Sequence, residues 1–107
     1  MADETEKTTH EPVPGGTPGD VPVTFSTFLL GLSTQALLHL GEIPNPVSGQ
    51  IETDLIAAQH VIDILGMLEA KTRGNLDQAE QGLVQSVLYD LRIRYVEIAR
   101  RHAKEAT

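Results

Sequence analysis

The chain has 107 residues, no cysteine and a formal net charge of −7 at pH 7. A domain of this length can bury only a modest core, so association with a partner is expected to add stability. The acidic balance argues against nucleic acid as a ligand, because binding phosphates needs a clustered positive surface. The lack of cysteine excludes disulfide and thiolate chemistry and fits a reducing compartment, so we expect a cytoplasmic protein.

Residues 1–22 contain five acidic residues and four prolines. Such a segment cannot bury enough apolar surface to offset the entropy lost on ordering, which predicts a disordered acidic tail. It also lacks the basic start and the apolar run of a secretory signal. The folded part is therefore expected to be a helical domain over residues 23–103.

The first predicted helix spans residues 25–40, within a stretch from Val21 to Leu40 that has no Asp, Glu, Lys or Arg. Thr24 is a plausible N-cap and Gly41 a plausible stop. At about 24 Å the helix is shorter than a bilayer core of roughly 30 Å, so a membrane span is not favoured. Its main apolar stripe is predicted to consist of Phe25, Phe28, Leu29, Leu32, Ala36 and Leu40.

The second predicted helix spans residues 50–73 and follows a connector that Pro44 and Pro46 should make stiff. Apolar residues from Ile51 to Leu68 cover about half of its helical wheel, so it should contact two neighbours. Gly74 is a suitable residue for a left-handed stop.

Asp77 and Glu80 have the spacing of a capping box, which predicts a third helix over residues 78–102. The short turn before it predicts an antiparallel hairpin with the second helix. A seam of residues at alternating spacings of four and three should pack inward, namely Val84, Leu88, Leu91, Tyr95 and Ile98. The predicted fold class is all-α, with the charge-free first helix packed on a long antiparallel hairpin.

Three segments, LLGLSTQALLHLGEIPNPVSG, IDILGMLEAKTRGNL and LYDLRIRYVEIAR, closely resemble the bacterial family called domain of unknown function 1844. The resemblance covers about residues 25–99 and implies a small helical bacterial protein. It implies no activity, substrate or catalytic residue. The chain departs from the family pattern at Gly66, where a longer helix-forming residue is expected, and in the less acidic DQAEQG after Leu76.

Two histidines have an acidic neighbour at the spacing that places both on one helix face, His39 with Glu42 and His60 with Asp63. Two ligands do not make a metal site. On a helical wheel His39 lies among apolar residues, which favours a buried, hydrogen-bonded structural histidine. His60 and Asp63 lie on the polar side of their helix, which favours a solvated pair. We predict no metal, no cofactor and no enzymatic activity. The alternative is a helical bundle that binds a small molecule or a metal through His39, Gln35 and Glu42.

Some apolar residues fall outside the stripes that three helices can cover for one another. If all were exposed, the monomer would show more contiguous apolar surface than is usual, which predicts self-association, with a dimer favoured. The competing interpretations are that the first helix covers them within one chain, or that a different protein binds them. The candidate interface residues are Leu30, Leu37, Ile56, Met67, Tyr89, Ile93 and Val96.

Overall fold

Three helices pack against one another in the computed structural model, which describes residues 21–106. They are α1 (Phe25–Leu40), α2 (Leu55–Lys71) and α3 (Gln78–Ala106). Each helix contacts the other two, and the described residues contain no strand. The predicted all-α three-helix arrangement is confirmed. The predicted disordered tail lies outside the described residues except for Val21 and Pro22.

Both ends of α1 follow from its cap residues. The Thr24 hydroxyl accepts from the Thr27 N–H, and the Thr27 hydroxyl accepts from the Thr24 N–H, each at 3.0 Å. At the other end Gly41 takes φ +78°, a left-handed conformation that costs glycine little. A Cβ there would lie 2.5 Å from the Thr53 hydroxyl, so the position also lacks room for a side chain.

The second helix begins at Leu55 rather than at Gln50, which corrects the predicted boundary. The Asp54 carboxylate accepts from the Ala57 N–H at 3.0 Å, and the Asp54 N–H donates to the His39 carbonyl at 2.7 Å. These bonds hold Asp54 as an extended N-cap, so Ile51 lies before the helix and is exposed. The helix ends at Lys71, two residues before the predicted Arg73, and Gly74 takes its positive φ in the turn that follows.

The third helix starts as predicted and ends later. The Asp77 carboxylate accepts from the Glu80 N–H at 2.8 Å, and the Glu80 carboxylate accepts from the Asp77 N–H at 3.0 Å, which confirms the capping box. The helix continues past the predicted end at His102 to Ala106. Nothing between these residues breaks a helix, because Ala, Lys and Glu are all good helix formers.

The hairpin of α2 and α3 is antiparallel, as predicted. Ile56, near the start of α2, shares a groove with Tyr95, whereas a Cβ on Gly66, ten positions later, would lie 3.2 Å from the Arg92 guanidinium. Positions that advance along α2 therefore meet positions that go back along α3. A Cβ at Gly66 would require the exposed Arg92 guanidinium to move by only a few tenths of an ångström, so the packing does not explain why glycine stands at this position.

All three helices contribute to one core. The predicted seam of α3 is buried, except that Tyr95 is partly buried and packs at the edge. Phe28 was predicted to belong to the buried stripe of α1, but about half of it is exposed. It lies roughly 100° around the helix from Leu29, which is fully buried at the centre of that face. The buried core residues are Leu29, Ala36, Leu40, Ala58, Val61, Ile62, Leu65, Val84, Leu88, Leu91 and Ile98.

Candidate interaction surface

A continuous surface runs along the outer side of the α2–α3 hairpin. One groove, of about 280 Å³, lies between the helices and includes Gln59, Asp63, Arg92 and Val96. It shares Gln59 and Asp63 with a second groove that reaches Ile56, and it shares Arg92 and Val96 with a third. The third groove lies along α3 and is lined by Tyr89, Arg92, Ile93, Val96, Glu97 and Arg100. We call the surface formed by these three grooves the hairpin face.

The hairpin face brings together four of the seven predicted interface residues, Ile56, Tyr89, Ile93 and Val96. All four are exposed. Met67 is exposed too, and it lies on the same side of α2 as Ile56, because eleven residues complete about three helical turns.

The two candidates on α1 have different surroundings. Leu30 is exposed, but no residue of α1 lines any of the three grooves of the hairpin face. Leu37 is partly buried and packs against the core, so it is not surplus surface, contrary to the prediction. The reason is that α1 contacts both other helices, which makes its buried side wider than one stripe.

Charges of both signs are interleaved with the apolar residues of the hairpin face. Asp63 and Glu97 are acidic, and Arg92 and Arg100 are basic. Asp63 accepts a hydrogen bond from the Gln59 amide at 2.8 Å. His60 is exposed near it, in the groove that reaches Ile56. The face is therefore balanced in formal charge, unlike the chain as a whole.

Arg94 lies on another side of α3 and forms an ion pair with Glu42, which is two residues past the end of α1. Its guanidinium donates to Asp90 at 2.8 Å and lies 3.5 Å from the Glu42 carboxylate. The hydrogen bond to Asp90 raises the pKa of Arg94 above its ordinary value. This geometry engages Glu42 in an ion pair that joins two elements of the fold.

The residues of the alternative metal or small-molecule site are not gathered around one cavity. A cavity of about 200 Å³ is lined by Leu38, His39, Asn45, Glu52 and Asp54. Gln35 and Glu42 are not among its lining residues. His39 is half-buried and its side chain has no hydrogen bond to any described residue, which corrects the predicted buried, hydrogen-bonded histidine. Within residues 21–106, no three His, Asp or Glu side chains are grouped so that they could hold a metal ion.

Replacing His39 with glutamine is expected to leave the response of the melting temperature to zinc unchanged, because His39 has no grouped co-ligands. Melting of both proteins with zinc and with a chelator checks this. Zinc stabilisation of the wild type by several degrees, absent in His39→Gln, would instead establish a metal site at His39.

The fold and its surface define a small all-α protein whose distinctive feature is an apolar, charge-balanced face on a helical hairpin. None of the described helices has the length and apolar character needed to span a bilayer. A family model described as Domain of unknown function (DUF1844) matches residues 22–97. The chain belongs to that family. No curated protein and no solved structure matches it.

Proposed function

We propose that the protein is a small self-associating interaction module, without a catalytic site, whose working form is a homodimer. The observation that carries the proposal is the amount of apolar surface on the hairpin face. The exposed fractions are 86% for Ile56, 70% for Tyr89, 42% for Ile93 and 46% for Val96, and Met67, on the same side of α2 but outside the three grooves, adds 49%.

These fractions can be compared with the usual surface of monomers. Taking roughly 200 Å² for a fully exposed large side chain, they amount to about 600 Å² on one side of the molecule. The largest apolar patch of a typical monomer is about 300–600 Å², so this face lies at the upper limit and favours a partner. A domain of this size also gains from association, since a lone core supplies only roughly 3–5 kcal/mol.

The alternative function, a bundle that binds a small molecule or metal through His39, Gln35 and Glu42, has less support. Glu42 pairs with Arg94, and Gln35 is exposed away from the cavity that His39 lines. A dimer that binds a different protein through its remaining surface is compatible with the proposal. We include a cytoplasmic location in it, on the ground that a chain without cysteine suits a reducing compartment.

The molar mass of the purified chain in solution tests the proposal. A mass near twice the 11.6 kDa of one chain at tens of micromolar supports it. The mass of a single chain under those conditions contradicts it.

A further inference from the structure

The outer side of α3 carries a second seam, opposite the one that packs into the core. Its residues recur at alternating spacings of three and four, the repeat by which one helix packs along another. All of them are exposed in the single chain. We call this the outer seam, and it consists of Ser86, Tyr89, Ile93, Val96, Arg100 and Ala103.

We propose that the outer seam binds the outer seam of a second copy of this chain, with the two α3 helices antiparallel about a twofold axis between Ile93 and Val96. The inference rests on the proposed self-association and adds to it the helix that pairs, its orientation and its register. In this register each residue of the seam meets a chemically matching residue of the other copy.

The matches follow when the outer seam of one copy is aligned with the outer seam of the second copy running in the opposite direction. Ile93 lies opposite Val96, which places aliphatic on aliphatic at the centre. Tyr89 lies opposite Arg100, so a guanidinium can stack on an aromatic ring. Farther out, Ser86 lies opposite Ala103, and two small residues let the helices stay close. The twofold axis repeats every match on its other side.

The parallel arrangement is less favourable. It would stack Arg100 of one copy on Arg100 of the other inside the seam, where like charges repel strongly because water is excluded. The parallel arrangement would also allow an ion pair at the flank of the seam, between Arg92 of one copy and Glu97 of the other. Exposed pairs of this kind contribute little to stability. The antiparallel arrangement has a flank cost too, since it brings Asp90 of one copy near Glu97 of the other, but Asp90 is exposed and already accepts a hydrogen bond from Arg94. The repulsion inside the parallel seam is the larger cost, so the antiparallel arrangement is preferred.

The net charge of the chain also favours a second copy on this face. Two molecules that each carry −7 repel each other, so they can meet most readily where the local charge is near zero. The hairpin face meets this condition, since Asp63 and Glu97 balance Arg92 and Arg100. Towards Ala103 the seam continues into a groove lined by Glu97, Arg100, Arg101 and Lys104, where basic residues outnumber acidic ones. This end of the seam therefore attracts, rather than repels, a second acidic chain.

The available area reaches the lower end of the range for specific interfaces. A twofold axis perpendicular to α3 keeps both α2 helices on the same side of the seam, so Ile56 and Met67 lie along its edge. The five exposed apolar side chains offer at most about 600 Å² per copy when all of their exposed surface is covered, on the scale of roughly 200 Å² each. The stems of Arg92 and Arg100 add to this, towards the roughly 800 Å² per partner of standard interfaces.

Disulfide cross-linking tests the register, because the chain has no cysteine of its own. The single variants Ser86→Cys and Ala103→Cys change small exposed residues. In the antiparallel pair, equivalent positions of the two copies lie 17 residues apart along α3, about 25 Å, which no disulfide can bridge. Neither variant alone should cross-link. A mixture of the two, reduced, equilibrated and then oxidised, should give cross-linked dimer in up to about half of the pairs, the share that contains one copy of each.

A mixture of Gln35→Cys with Ser86→Cys is the matched control, since Gln35 is exposed on α1, off the hairpin face. It should not cross-link. Efficient cross-linking of Ser86→Cys with itself would overturn the antiparallel register. Absence of cross-linking in the Ser86 and Ala103 mixture, with a wild type of dimeric mass, would overturn the outer seam but leave self-association standing. A monomeric wild type would end the proposed function itself.

Discussion

Replacing Ile93 with glutamate is expected to convert the dimer to monomers while leaving the three-helix fold intact. Ile93 is next to the proposed twofold axis, so the substitution places two unpaired carboxylates close together in a surface that excludes water. We expect the dissociation constant to rise by at least about 100-fold, which corresponds to roughly 2.7 kcal/mol. Within one chain Ile93 is exposed, so the helical circular dichroism should not change.

Val47→Glu is the matched control for Ile93→Glu. Val47 is an apolar residue that is almost fully exposed in the connector between α1 and α2, away from the hairpin face. The substitution adds the same charge to each copy, so it separates a local effect from a general increase in repulsion. Sedimentation of the two variants should give monomers for Ile93→Glu and dimers for Val47→Glu. If both remain dimeric, the interface lies elsewhere on the molecule.

Replacing Leu65 with alanine should have the largest effect on folding. Leu65 is fully buried where the three helices meet, and a leucine-to-alanine change in such a core costs about 3–5 kcal/mol. A lone core of this size supplies only a similar amount, so in a dilute sample, where association adds little, about half or more of the variant should be unfolded near room temperature. Urea unfolding followed by circular dichroism, at one protein concentration, measures the change.

Leu30→Ala is the same chemical change at a half-exposed position on α1. It should cost no more than about 1 kcal/mol, because about half of the Leu30 surface is already in water. Similar losses for the Leu65 and Leu30 variants would mean that the core is not centred where the structure places it.

The sequence predicts both ends of α1 and the start of α3 correctly, because local residues determine them. Thr24, Gly41 and the pair Asp77 and Glu80 cap through hydrogen bonds or backbone angles set within a few residues. The start of α2 was mistaken because Ile51 falls in phase with the apolar residues of the helix. Asp54 carried the correct signal, since a capping carboxylate captures the first free N–H groups whatever the apolar pattern before it.

The candidate surface depends on tertiary placement, which a helical wheel does not contain. Leu30 and Leu37 both lie outside the predicted stripe of α1, yet one is exposed and the other packs on the core. Which of them is covered depends on where α2 and α3 lie around α1. In the same way, Ile56 and Val96 lie on one face only because of how α2 and α3 are aligned in the hairpin. The pattern of each helix alone identifies both residues as candidates but cannot predict that they share a surface.

Sedimentation equilibrium of the wild-type chain over a range of concentrations is the most direct test of self-association. The mass should approach twice 11.6 kDa as concentration rises through the micromolar range, with all data fitted by one monomer–dimer constant. A mass that stays at 11.6 kDa up to tens of micromolar would contradict self-association, because the hairpin face would then be exposed in the working form of the protein.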